Sequence, residues 1–507
     1  MKKYPQRDEK GKKFYEALQP KKRTPAPEEE EPKGKREGIC PNYRKCSGCQ
    51  MQNLPYEDQL RWKQAKMQKL LGSYGRVPFI IGMEDPTHYR NKVQVAFGKT
   101  RAGRIVSGIW QSREERIVIT DSCMIEDKKA AEIAGTVRRL LPAFKVEPYD
   151  AYSGKGWFRH ILVRKAVHTG ELMVVLVGAT PVFSQKNAFA KALLKAHPEI
   201  TTLVFNVNDT DTALMLGKHE EVLYGNGYIE DKLCGLTFRI SPRSFYQVNP
   251  IQTEVLYGKA LEFAGLTGTE RVLDAYCGIG TIGMAAASRA GEVIGVENNA
   301  AAVRDARQNA KLNGVKNIRF VEADAGQFLS RMAEDGEKLD VLLMDPPRAG
   351  SDKRFLASVL KLAPQKVVYI SCNPDTLARD LQTLVKGGYK VRKMQPVDMF
   401  PWTHHIETVC LLSKLNAKQH IEINLDMDEL DLTDAEKKAT YQEIKDYVLE
   451  HSGLKVSSLY IAQVKQKCGI IERENYNKPK SEDAKQPQCP PDKEKAIKEA
   501  LTHFGMI

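Results

Sequence analysis

Residues 271–283 read RVLDAYCGIGTIG. A short apolar run carrying one acid, Asp274, breaks into glycines at 278, 280 and 283 and then enters a run rich in Met and Ala. Glycines at this spacing allow a tight turn between a strand and a helix and let a ligand approach the backbone closely. Glu297 follows about twenty residues on, at the end of "EVIGVEN", where an acid would hold a ribose hydroxyl. Alone, this pattern fits NAD and S-adenosylmethionine alike, and a ligand-free strand-helix turn would look similar.

Outward from that turn the pattern repeats. Apolar runs at "RVLDAYCG", "EVIGVEN", "NIRFVEADA", "LDVLLMDPPR", "KVVYISCNP" and "ETVCLLSKL" alternate with helical stretches such as "AAVRDARQNAKLNG". Strand-helix alternation predicts a doubly wound, Rossmann-like α/β domain with a parallel sheet over 241–415. Ligands in such sheets sit beyond the carboxyl ends of the strands. Asp274, Glu297, Asp324, Asp345 and Cys372 all fall at or near those ends. Two of them favour a methyl donor over a dinucleotide. Asp274, before the loop, suits a cationic amino-acid moiety better than a pyrophosphate, and Asp324 lies where an adenine edge would rest.

The chain has 507 residues, a net charge of +13 and a pI of about 9.0. A basic excess on a large chain favours a polyanionic partner, RNA or DNA first. No apolar run approaches the ~18 residues that span a bilayer, and the start, "MKKYPQRDEKGKKFYEALQP", has no apolar core. The ten cysteines are scattered, as expected for reduced thiols in a cytoplasmic protein. Residues 1–38 are rich in Lys, Arg, Glu and Pro and are expected to be disordered. A cysteine-rich region with an amphipathic helix occupies 39–75. From 76 to 240, runs such as "KVQVAFG", "RIVSGIW", "RIVITDSCMI", "ILVRKAVH", "ELMVVLVG" and "TLVFNVN" predict a mostly antiparallel, β-rich domain suited to RNA. A charged linker and a small helical module are expected over 416–507. In that module Ile444, Val448 and Leu449 share a face, Gly453 stops one helix and Ser457 or Ser458 starts the next. The outline suggests a helix-turn-helix offering Lys465, Lys467 and Arg473 to phosphates, with a helical cap as the blander alternative.

Cys372 lies in "SCNP" at the lip of a strand, and Glu407 in "HHIETV" opens the last strand region. A thiolate, a carboxylate and a methyl donor together define one chemistry. Carbon 5 of a pyrimidine is too weak a nucleophile to attack a methyl group. Thiolate addition at carbon 6 makes an enolate, and carbon 5 then attacks. The carbon 5 proton must afterwards leave, which requires a base. Cys372 and Glu407 meet both demands, with His404 and His405 as rival bases. In "DPPR", Arg348 stands where N-methylating enzymes carry an aromatic residue, which leaves Asp345 to hydrogen-bond a base.

"CPNYRKCSGC" places Cys40, Cys46 and Cys49 close together, and Cys123 in "TDSCMI" is the candidate fourth ligand. Spacing alone leaves structural zinc and an iron-sulfur cluster both open.

The motifs "SCNP", "HHIETV", "DPPR", "DAYCGIG" and "SFYQVN" together resemble the RNA uracil-5-methyltransferase family over roughly residues 39–415. The resemblance implies Cys372 as nucleophile, Glu407 as base, Gln247, Tyr276, Glu297 and Asp345 as S-adenosylmethionine contacts, and Phe245 as a base-stacking aromatic. Thr281 departs from several relatives, which have Asn. Relatives with this cysteine pattern hold a [4Fe-4S] cluster, which implies one on Cys40, Cys46, Cys49 and Cys123. Cluster-bearing bacterial relatives act on 23S rRNA, so rRNA is expected before tRNA, with the protein a monomer. An NAD-dependent oxidoreductase would leave Cys372 and Glu407 unexplained, and a non-catalytic RNA-binding protein would not need them.

Overall fold

The computed structural model describes residues 40–111, 116–150, 153–209, 215–415, 441–468, 489–504 and 506. The N-terminal segment 1–38, the charged linker to 440 and Arg473 lie outside the described residues. The chain divides into two units, Met1–Ala417 and Lys418–Ile507.

The first unit opens with helix α1 (Tyr56–Leu71) and holds two seven-stranded sheets. The central sheet comprises β1 (Lys92–Lys99), β2 (Ile105–Gln111), β3 (Arg116–Ile119), β4 (Phe158–Lys165), β5 (Leu172–Gly178), β6 (Thr202–Val207) and β7 (His219–Tyr224), in the order β3-β2-β1-β4-β5-β6-β7. All its pairs are antiparallel except β5 with β6. Alternation along β1 turns Val93, Val95 and Phe97 toward helices α2 (Lys128–Ala143) and α3 (Lys186–Ala196), where Ile133, Val137, Phe189 and Leu193 meet them. β3 ends at Ile119, so the "TDSCMI" part of the expected strand is irregular.

The opposite face carries Leu162, Met173, Val175 and Val204, which share one core with the second sheet through Leu256, Leu261, Val368 and Ile370. That shared core joins the two sheets within the first unit. A hairpin of β8 (Ile229–Leu233) and β9 (Leu236–Ile240) leads into the loop 241–249 and helix α4 (Pro250–Ala264).

The second sheet begins with β10 (Arg271–Ala275), α5 (Thr281–Ala287), β11 (Glu292–Glu297), α6 (Ala300–Leu312), β12 (Ile318–Glu322), α7 (Ala325–Glu334) and β13 (Val341–Met344). It continues through α8 (Lys353–Leu362), β14 (Lys366–Ser371), α9 (Pro374–Lys386), β15 (Tyr389–Val397) and β16 (Glu407–Lys414). The strand order is β12-β11-β10-β13-β14-β16-β15. β10 to β14 run parallel, as expected, whereas β16 lies antiparallel between β14 and β15. The order reverses between β10 and β13, the switch point where such sheets open a ligand crevice.

Helix α1 lays Leu60, Met67 and Leu71 against Leu377 and Leu381 of α9. Lys63 falls on the same stripe and is 0% exposed. Its Nζ donates to Asp398 Oδ1 at 2.7 Å and to the Phe400 carbonyl at 3.2 Å, while Tyr56 Oη donates to Asp398 Oδ2 at 2.8 Å. This buried pair holds the loop that runs into Glu407. Removing one partner strands a buried charge, so Lys63→Met should cost about 3–5 kcal/mol. Chemical denaturation should show this as a lower midpoint, and a variant as stable as the parent would refute it.

The second unit packs helices α10 (Tyr441–Ser452), α11 (Ser458–Lys467) and α12 (Pro491–His503) around Ile444, Val448, Ile461, Val464, Ile497 and Leu501. Gly453 has a φ of 68° and Ser457 caps α11, as the sequence predicts. Two expectations differ there. Leu449 is exposed and off the packed face, and Lys465 is 2% exposed and packed inside the module. Lys467 is paired with Glu494 at 2.5 Å on the surface. Helix α12, which the sequence reading missed, supplies Ala496, Ile497, Ala500 and Leu501 to the core. No helix among the described residues is long and apolar enough to cross a membrane.

Candidate active site

The rim at the carboxyl ends of β10–β14 gathers the expected residues. β10 ends at Ala275, and Tyr276 follows with a left-handed φ of 66° that turns the chain into the glycine loop. Glu297, the last residue of β11, accepts from Gly278 N at 3.1 Å and from Asn299 N at 2.8 Å, so it holds the loop from across the strand gap. Asp274 is buried, and its Oδ2 accepts from Gly283 N at 2.9 Å. A Cβ at residue 283 would come within 2.7 Å of that oxygen, which accounts for the glycine. Asp274 therefore shapes the loop through this oxygen. Asp324 caps α7 through Gln327 N at 2.9 Å. Thr281 Oγ1 lies 3.1 Å from Tyr257 Oη. Gln247 sits half-buried in the loop 241–249, and Phe245, two residues earlier, is 68% exposed.

Cys372 and Glu407 lie on the other side of Asp345. Ser371, the end of β14, is opposite Thr408 of β16. One step further brings Cys372 and Glu407 to facing strand ends, where cross-strand side chains are neighbours. The turn explains its own sequence. Asn373 caps α9 through Asp375 N at 3.1 Å, and Pro374 takes the first helical position, where no N–H is needed. Asn373 Nδ2 also donates to the Arg348 carbonyl at 3.2 Å, tying the "DPPR" loop to the cysteine turn. Ser351 N and Tyr369 Oη both donate to Asp380 Oδ2, at 2.8 and 2.7 Å, and fix the same loop from beneath.

Burial dominates the electrostatics. It pushes the Cys372 thiol up to about 11, helped by Glu407 and Asp345 and opposed by Arg348. Burial raises Asp345 to about 7. Glu407, 4% exposed, is held well above the usual carboxylate range by burial and then by Asp345, with Arg348 again opposing. Arg348 is thus the cation that favours the ionised form of both Cys372 and Glu407. His405 is pushed down to about 4 by burial, then by Arg348 and Lys63, so its imidazole is neutral. His404 stacks on Trp62 with centroids 5.0 Å apart.

A strained residue carries the approach to Glu407. Trp402 has a φ of 70° and its backbone is clamped on both sides. Gln50 N and Met51 N donate to its carbonyl at 3.1 Å each, and its own N donates to Gln59 Oε1 at 3.0 Å. The cysteine segment thereby braces the loop that ends at the carboxylate.

Against these features stand the comparisons with known proteins. The family model described as tRNA (uracil-5-)-methyltransferase matches residues 55–415. The chain belongs to that family. As a family member it is an RNA (uracil-5-)-methyltransferase that takes its methyl group from S-adenosylmethionine. It is 43% identical over 385 residues to an uncharacterized RNA methyltransferase of Halalkalibacterium halodurans, covering 75% of this chain and 84% of the relative. It is also 43% identical over 374 residues to one from Oceanobacillus iheyensis, covering 73% and 81%. The crystal structure of Pyrococcus abyssi tRNA (uracil-54, C5)-methyltransferase in complex with S-adenosyl-L-homocysteine superposes with a TM-score of 0.61 at 28% identity, covering 72% of this chain and 86% of that one.

Within this methyltransferase the four predicted cysteine ligands share one neighbourhood. Cys49 and Cys123 line the same small apolar cluster with Tyr89 and Trp402. Burial raises the Cys49 thiol to about 11 and Cys123 to about 12, with further upward pushes from Glu126 and from neighbouring thiols including Cys46 and Cys40. Gly48 N donates to Cys46 Sγ at 3.4 Å. Among the described residues no three His, Cys, Asp or Glu side chains converge on one metal-ion position. None of the four thiols is in a disulfide, and four cysteines are a donor set that zinc and iron-sulfur sites both use.

The sequence reading missed Lys63, Asp398 and Trp402, and it used Arg348 only to argue against N-methylation. A lysine in register with Leu60, Met67 and Leu71 on an apolar helix stripe was the available signal for the first.

Proposed function

We propose that the protein methylates carbon 5 of a uridine in RNA through a covalent Cys372–uracil adduct. The observation that carries this reading is the pairing of Cys372 and Glu407 at facing ends of β14 and β16, with Asp345 between them and the glycine loop. S-adenosylmethionine, when bound, supplies an electrophilic methyl. The loop glycines, Glu297, Tyr276 and Gln247 would hold that ligand. Phe245 stacks on the uracil, and Asp345 hydrogen-bonds its edge.

The Cys372 thiol gives its proton to water as its sulfur adds to carbon 6, and the displaced π electrons form an enolate. Carbon 5 then takes the methyl group, with S-adenosylhomocysteine as the leaving group. Glu407 removes the carbon 5 proton, the carbon 5–carbon 6 double bond re-forms and the thiolate leaves. Burial that raises the affinity of Glu407 for a proton also makes its ionised form a stronger base. Arg348 offsets the accumulating negative charge.

Ribosomal RNA is our reading of the substrate, because the cysteine quartet resembles that of cluster-bearing relatives acting on 23S rRNA. Transfer RNA is the second reading, favoured by the Pyrococcus abyssi enzyme named above. Incubation of rRNA and tRNA pools from a strain lacking the gene with labelled S-adenosylmethionine decides between them. Label should enter 5-methyluridine of rRNA. Label in tRNA alone would shift the substrate, and label in no RNA would refute the function.

The quartet Cys40, Cys46, Cys49 and Cys123 would hold a [4Fe-4S] cluster that braces the Trp402 loop. Anaerobically purified protein should contain about four irons per chain with a broad brown absorbance, as a cluster held by four cysteines requires. Cys46→Ser should lose both. Stoichiometric zinc without iron would contradict the cluster.

A further inference from the structure

We propose that Arg90, Lys92 and Arg164 form a phosphate-binding site that grips the RNA backbone beside the loop carrying Phe245 and Gln247. The proposal rests on the reading of an RNA substrate made above. Lys92 on β1 is directly opposite Arg164 on β4. Cross-strand partners stand about 4.5–5.5 Å apart at Cβ, and like charges there destabilise a sheet. Arg90 lies two residues earlier, its Nε donating to the Lys92 carbonyl at 3.3 Å.

Nothing among the described residues neutralises Lys92 or Arg164. Lys92 makes no ion pair there, although Lys165 on the neighbouring position of β4 is paired with Asp127 at 2.9 Å. Arg164 is 3% exposed; one of its amino groups donates to the Ser244 carbonyl, and its Nε is buried without a hydrogen-bond partner. The acid acting nearby is Glu126, which is partly buried and faces Arg90. Burial, then Arg164 and Arg90, push the Lys92 ammonium down to about 8, consistent with a site lacking its counter-charge.

Place identifies the ligand. Asn91 N donates to the Val248 carbonyl at 2.9 Å, and Arg164 holds the Ser244 carbonyl, so the cations and the exposed Phe245 ring belong to one loop assembly. A phosphate next to a base stacked on Phe245 is the anion an RNA strand would deliver there. Guanidinium groups suit phosphate oxygens geometrically, and an ammonium adds a point charge. Such a contact sets position and register without reading sequence.

Lys92→Gln tests the site, with Lys92→Arg as the conservative control. The probe is a fluorescein-labelled, 20-nucleotide, single-stranded RNA containing uridines. Removing one phosphate contact should weaken binding roughly five- to tenfold at about 0.1 M salt and flatten the slope of log affinity against log salt by about 0.7. Lys92→Arg should keep both near the parent values. S-adenosylhomocysteine affinity should not change, and the Gln variant should melt no lower than the parent, because a like-charge pair has been relieved. Unchanged RNA affinity and slope, or a loss that is independent of salt, would overturn the site. Parent protein that shows the Lys92-dependent slope yet forms no 5-methyluridine would fault the methylation reading while supporting this site.

Discussion

Cys372→Ala is expected to bring RNA methylation to background, a loss of roughly a thousandfold or more. No other group described at the rim can activate carbon 5. Asp345 and Glu407 are carboxylates placed to accept protons or hydrogen bonds, and the remaining rim cysteine, Cys277, is buried behind the glycine loop with its N–H bonded to the Val296 carbonyl. Donor affinity should be almost unchanged. The proposed donor site lies at Glu297, Tyr276 and the glycines, and the Glu297–Gly278 bond that shapes it does not pass through the thiol. Isothermal titration with S-adenosylhomocysteine and a tritium-release assay separate the two effects. Turnover by Cys372→Ala would remove the covalent mechanism.

Glu407→Gln should behave differently. The amide keeps the shape of the site but accepts no proton. Addition and methyl transfer can proceed, and the carbon 5 proton then has nowhere to go. Turnover should fall about 10²–10⁴-fold, the usual contribution of a positioned base. A denaturation-resistant protein–RNA band should accumulate on ordinary uridine substrate. The neighbouring histidines make poorer candidates. His404 has its ring stacked on Trp62, and His405, pushed down to about 4, is a weak base. Adduct accumulation in His405→Gln, with Glu407→Gln turning over normally, would transfer the role to the imidazole.

Much of the reacting rim was legible because each residue sits at a place where the chain changes state. Cys372 lies between an apolar run and an Asn-Pro helix start, and the structure shows Asn373 capping α9 and Pro374 opening it. Glu297 ends β11 at the distance from the glycines that a strand-helix-strand unit imposes. The bond Asp274 makes is less visible. Its position before the loop can be read in sequence, but its acceptance of a backbone N–H depends on the close approach of Gly283. The antiparallel placement of β16 also escaped the alternation pattern, since strand direction is set by whether a hairpin or a crossover precedes it. Lys465 shows the same limit: lysine in a short amphipathic helix reads as surface, and only packing of the third helix withdrew it.

The central claim is a covalent bond between one sulfur and one uracil. Its most direct measurement is mass spectrometry of the parent protein after incubation with S-adenosylmethionine and RNA carrying 5-fluorouridine at the target position. Fluorine cannot leave as a cation, so elimination is blocked after methyl transfer. The account predicts a stable adduct whose nuclease- and protease-trimmed peptide carries a methylated fluorouridine on Cys372. An adduct on another cysteine, or methylated RNA released with no covalent species, would contradict it.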